Sequence, residues 1–120
     1  MTQKVFDMTF KSVYQALIAK VDRKGGQEAD VDQLTSWLTG YSLEKIAELK
    51  KSELSYGDFI NQAPAFTPYR ENITGKICGV QIESLEDPTM REIRRLDKLV
   101  DWLAKGNSVE EVKQKYEKTN

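Results

Sequence analysis

Pro88 to Gly106 reads PTMREIRRLDKLVDWLAKG, and its apolar residues leave few ways to fold it. At about 100° per residue, Met90, Ile93, Leu96, Val100 and Leu103 fall on one side of a helix. Leu99 and Trp102 carry that face far around the cylinder. An apolar arc this wide has to be covered from more than one direction, so the pattern predicts a central helix near 88–105. Pro88 suits a first helical position, where its missing N–H costs nothing. Glu83, Glu86 and Asp87 suit the positive end of the helix dipole, and Gly106 ends the run.

The rest of the chain reads as helices packed on that one. Phe10, Val13, Tyr14, Leu17, Ile18 and Val21 recur at spacings of three and four, which predicts a first helix from about Thr9 to Asp22, ended by Gly25-Gly26. A second helix, with Asp30 as its expected cap, buries Val31, Leu34, Trp37 and Leu38 and stops at Gly40. Ser42 caps a third that turns Leu43, Ile46, Ala47 and Leu49 inward. Ser55, with Asp58 three residues on, starts a short fourth carrying Tyr56, Phe59 and Ile60. Ser108-Val109-Glu110-Glu111 is a capping-box pattern for a last helix, whose acids come early and whose Lys113, Lys115 and Lys118 come late.

Two of these corners repeat one another. With one gap at Lys105, VDQLTSWLTGYSLEKI from Val31 aligns with LDKLVDWLAKGNSVEEV from Leu96. Asp32 then matches Asp97, Leu34 matches Leu99, Trp37 matches Trp102, Leu38 matches Leu103, Gly40 matches Gly106 and Ser42 matches Ser108. Each copy is helix, glycine stop, serine cap, helix. Capping rules alone account for the glycines and serines, but not for the Asp and Trp-Leu matches. Both internal duplication and shared helix-corner grammar fit this repetition.

From Ala63 to Asp87 the rhythm breaks. Pro64 and Pro68 interrupt helix, Gly75 and Gly79 relax the backbone, and Ile77, Val80 and Ile82 offer a brief extended piece. The predicted fold class is therefore all-α: a compact orthogonal bundle of five or six helices around the helix near 88–105. One irregular segment near 63–87 has at most a short extended piece. The 120 residues suit a single helical domain over 1–120.

Composition removes many chemistries. One cysteine excludes an internal disulfide and a cysteine zinc cluster. No histidine means no Ser-His-Asp or Cys-His catalysis and no imidazole metal site. Eighteen basic and nineteen acidic residues leave a formal charge of −1, without a global field toward nucleic acid or anionic membrane. The start, MTQKVFDMTF, has no long apolar run, so a cytoplasmic protein without a membrane span is expected. The sequon at Asn72-Ile73-Thr74 then carries little weight.

Candidate chemistry sits on the irregular segment against the central helix. Gly75-Lys76 is not a Walker loop, because Arg70 stands where its first glycine belongs and Ile77 where its Ser or Thr belongs. Cys78 reads as a small buried hydrophobe rather than an activated nucleophile. Asp97 falls inside the apolar arc, where a carboxylate needs a partner, and Arg94 and Arg70 are the candidates. Such a pair would either pin the irregular segment or line a polar pocket with Tyr69, Asn72 and Thr74. The expected site set is therefore Tyr69, Arg70, Asn72, Thr74, Cys78, Arg94 and Asp97. Arg91, Arg95 and Lys98 are expected together on the outer side of the helix. GYSLEKIAEL (Gly40–Leu49) faintly resembles a DNA-reading corner but lacks Arg, Asn or Gln for base edges, which disfavours nucleic acid. Glu83, Glu86 and Asp87 lack a recognised metal-loop spacing, so no metal or other cofactor is expected.

Four stretches together resemble a known family: FDMTFKSVY near the start, WLTGY at Trp37–Tyr41, NITGKICGV at Asn72–Val80 and EDPTMREIRRLDKLVDWLAKG at Glu86–Gly106. In this order they are similar to the small bacterial proteins of domain of unknown function family 2200. The resemblance covers nearly the whole chain, implies a compact, mainly helical domain and supplies no activity. The residues themselves favour a non-catalytic interaction or structural module, a possible homodimer or a binder of a protein or peptide. The alternative is a small-molecule or anion-binding protein, or a weak enzyme, using Arg70 and Arg94.

Overall fold

The computed structural model describes residues 7–77 and 79–117. Six α-helices make up most of them: α1 Phe10–Asp22, α2 Glu28–Thr39, α3 Leu43–Leu49, α4 Tyr56–Asn61, α5 Pro88–Ala104 and α6 Val109–Glu117. The expected all-α architecture holds, and so does its centre. Helix α5 packs against α1, α2, α4, α6 and the irregular segment. Its Ile93, Leu96, Leu99, Val100 and Leu103 are all buried.

The elements begin and end where local chemistry directs. Thr9, Ser42 and Ser55 each accept a backbone N–H in the first turn of α1, α3 and α4. Asp87 does the same for Thr89 and Met90 at the start of α5. Ser108 and Glu111 form a reciprocal capping box at α6, with bonds of 2.9 and 3.1 Å. Asp30, the expected cap of α2, lies instead in its first turn. The helix starts at Glu28, after Gln27, whose side chain makes no cap bond.

Helix α3 also departs from expectation. Ile46 and Leu49 are buried, but Ala47 is exposed and Leu43 is 53% exposed. Seven residues give only two turns, so a single stripe of two residues faces the core. A short antiparallel bridge between Thr9 and Ser55 ties the starts of α1 and α4. It brings Phe10, Tyr14, Tyr56 and Phe59 into one aromatic cluster, with Phe10 4.2 Å from Phe59 and 4.6 Å from Tyr14, centroid to centroid.

The irregular segment is more ordered than a loop. Ala65 and Thr67 donate backbone N–H groups to Thr39 and Leu38, closing over the end of α2. Pro68–Asn72 forms a 3-10 turn capped by Thr67. Two-residue strands, β1 Lys76–Ile77 and β2 Val80–Gln81, pair antiparallel, and Ile82 belongs to a following 3-10 turn rather than the extended piece. Ile73, Ile77 and Ile82 anchor this stretch in the core. Among the described residues no helix is long and apolar enough to cross a membrane.

Candidate functional site

The residues expected to form one polar pocket are divided between the two flanks of α5. On one flank Arg70 donates from Nε to Glu92 at 2.9 Å and from Nη1 to the Thr67 carbonyl. Arg95 donates to the same Glu92 oxygen at 2.9 Å and reaches Glu71 at 3.5 Å. Arg95 is only 5% exposed, so it does not join Arg91 and Lys98 on the outer side as expected. Its guanidinium can be buried because Glu92, one turn earlier, neutralises it. Arg91 instead donates to the Leu85 carbonyl, and Lys98 to the Lys76 carbonyl. Arg91, Arg95 and Lys98 therefore do not form one shared basic stripe.

On the other flank Arg94 bonds to Asp97 at 3.0 Å. Arg70, the other candidate partner of Asp97, is committed to Glu92. Burial pushes the Asp97 carboxyl above its ordinary value, opposed by Arg94 and by Lys20 of α1. Tyr56 lies beside this pair; burial and the Asp97 charge raise its phenol, against the Arg94 charge. Tyr56 Oη and Arg94 Nε have no hydrogen-bond partner among the described residues. Asp101 behaves oppositely. Burial would raise it, but bonds to Lys105 and Lys20 outweigh burial and hold it low.

The remaining expected site residues lie apart from these pairs. Thr74 is exposed. Asn72 donates to the Tyr116 carbonyl at 2.6 Å. Tyr69, 36% exposed, lies parallel to Trp37, with ring centroids 6.4 Å apart. Cys78 falls outside the described residues.

What Asn72 and Tyr69 reach is a surface that the sequence reasoning did not assemble. The final turn of α6 is held from three sides. Trp37 of α2 donates its indole N–H to Glu117 at 3.0 Å, Trp102 of α5 donates to Tyr116 Oη at 2.7 Å, and Asn72 takes the Tyr116 carbonyl. The two tryptophans of the repeated stretch thus clasp adjacent residues of one helix. Both indoles are half-buried. Three ammonium groups gather around Trp102: Lys98 at 5.7 Å, Lys105 at 5.1 Å and Lys115 at 4.2 Å from the ring centroid. The available signal was the Trp match of the repeat; the sequence did not say that α6 would lie between its copies.

The other repeated positions also have contacts. Asp32 accepts from Tyr14 of α1 at 2.7 Å and from Lys50 at 2.8 Å, and Asp97 lies within the field of Lys20, also on α1. Leu34, Leu38, Leu99 and Leu103 are core. Gly40 and Gly106 both take positive φ, 85° and 102°. Each copy therefore turns its Asp toward α1 and its Trp toward α6.

Comparison with known proteins agrees with this architecture. Residues 4–114 match DUF2200, described as an uncharacterized protein conserved in bacteria. The chain belongs to the DUF2200 family. It is also similar to a protein of known crystal structure, uncharacterized protein SP1917, with 57% sequence identity and a TM-score of 0.96. That likeness covers 100% of this chain and 98% of the other. No curated protein matches the chain.

Proposed function

We propose that this DUF2200 protein is a cytoplasmic, non-catalytic recognition module that binds a protein partner through the face around α6. One observation carries the reading: Trp37 with Tyr69, and Trp102 with its lysines, flank α6 as half-open aromatic surfaces fixed by hydrogen bonds. Rigid aromatic side chains supply binding area at little conformational cost, which is why they dominate interfaces. An anion-binding or enzymatic role for Arg70 and Arg94 draws less support, because each guanidinium is already bonded to a carboxylate.

Site-specific photo-crosslinking in cells tests this. A photoreactive amino acid replacing Tyr69 should trap a discrete protein adduct, whereas the same residue at exposed Gln15 of α1 should not. Equal labelling at both positions, or none at Tyr69, would count against a recognition face.

A further inference from the structure

The cluster around Trp102 indicates what kind of partner this face takes. Resting on the recognition-module reading, we infer that Trp102, Lys98 and Lys115 form a docking site for an acidic peptide segment of a partner protein. The ring is fixed, because its N–H is committed to Tyr116 Oη at 2.7 Å. Lys98 lies on α5 and Lys105 caps its end, on either side of Trp102 in the chain, and Lys115 comes from α6. Three like charges beside one ring repel one another, and the aromatic face only partly offsets that repulsion.

Lys105 has Asp101 as a counter-ion at 3.1 Å. Lys98 bonds only to a backbone carbonyl, and among the described residues neither Lys98 nor Lys115 pairs with a carboxylate. Among the described residues, two ammonium groups therefore stand without a carboxylate partner beside a half-open indole. Carboxylates arriving there gain both charges, and an apolar side chain between them can cover the ring.

Charge around the patch favours a peptide over nucleic acid. Asp101 borders it on α5, and Glu111 lines a surface cleft with Lys115 on α6. A phosphate backbone needs a continuous basic track, and here it would run onto those acids. Carboxylates on a peptide can be spaced to meet Lys98 and Lys115 and avoid them.

The test titrates the ¹⁵N-labelled full chain with poly-L-glutamate at low ionic strength and follows both indole N–H signals. The Trp102 signal should move, and added salt should reverse the shift. Reversing both charges, Lys98→Glu with Lys115→Glu, should weaken binding at least about tenfold, and Lys115→Gln alone should weaken it less. The indole signals of each variant report whether the fold is kept. An unmoved Trp102 signal, or affinity indifferent to charge reversal in a folded variant, would overturn the site. Tighter binding of a single-stranded thymidine oligonucleotide with the same sensitivity to reversal would overturn the peptide assignment in favour of nucleic acid. If adducts form at position 69 while polyglutamate fails to bind, the recognition module stands and only the acidic partner falls.

Discussion

At the residue scale, α5 carries two ionic clusters with opposite consequences. Glu92 accepts from Arg70 and Arg95 while itself only 9% exposed. Glu92→Leu would leave two guanidinium groups without that carboxylate, one of them buried. We expect a loss of about 3–5 kcal/mol in urea unfolding. Adding Arg95→Met should recover part of it, since the buried charge is then gone as well.

The aspartates on the other flank respond to pH with opposite signs. Folding raises Asp97 above its ordinary 3.8, chiefly by burial. Its contribution to stability is fully present below that value and is lost as pH rises through the raised folded value. Asp101 is held below 3.8 because Lys105 and Lys20 outweigh burial. Its contribution is present above 3.8 and is lost as pH falls through the lowered folded value. Urea midpoints measured across the acidic range should show this. Asp97→Asn removes a decline that sets in above 3.8, whereas Asp101→Asn removes at most about 1 kcal/mol at neutral pH. The wheel made Asp97 legible as a carboxylate inside an apolar arc. Arg95 was not legible, because it falls at the margin of that arc, where a long cation usually snorkels to water. The signals of its burial were Glu92 at i−3 and its own place between Trp102 and Leu99 on the wheel.

At the element scale, glycine stops and serine caps were plain in the sequence, because each satisfies backbone groups within a few residues. The start of α2 was not, since Gln27 provides no side-chain cap to recognise. The two glycines of the repeat also differ in what surrounds them. A Cβ on Gly106 would meet nothing within 4 Å, whereas one on Gly40 would stand 2.7 and 2.8 Å from the Ala65 backbone. Gly106→Ala should cost about 1–2 kcal/mol through its left-handed backbone alone. Gly40→Ala should cost distinctly more in thermal unfolding, because Ala65 cannot yield without losing its bond to Thr39.

At the scale of the whole molecule, periodicity revealed the centre, because a helix apolar through so wide an arc must be surrounded. It could not reveal which side chains meet across the bundle. Tyr69, Arg70, Asn72 and Asp97 read as one pocket, since sequence proximity grouped the first three and a buried carboxylate's need for a cation tied Asp97 to Arg70. The fold sends them to separate partners on α2, on both flanks of α5 and on α6. The repeat gains its physical sense here: two helices with the same pattern of Asp, Leu and Trp approach α1 at one end and grip α6 at the other. That grip fixes the aromatic face assigned to recognition.

A double-mutant cycle between Trp102 and Tyr116 tests the grip most directly. Trp102→Phe and Tyr116→Phe each remove one partner of the 2.7 Å bond, and the pair together removes both. A coupling energy of about 1 kcal/mol in urea unfolding is expected for a hydrogen bond that holds α6 in place. Strict additivity would mean that the indole and the phenol merely lie side by side, and that this bond does not hold α6.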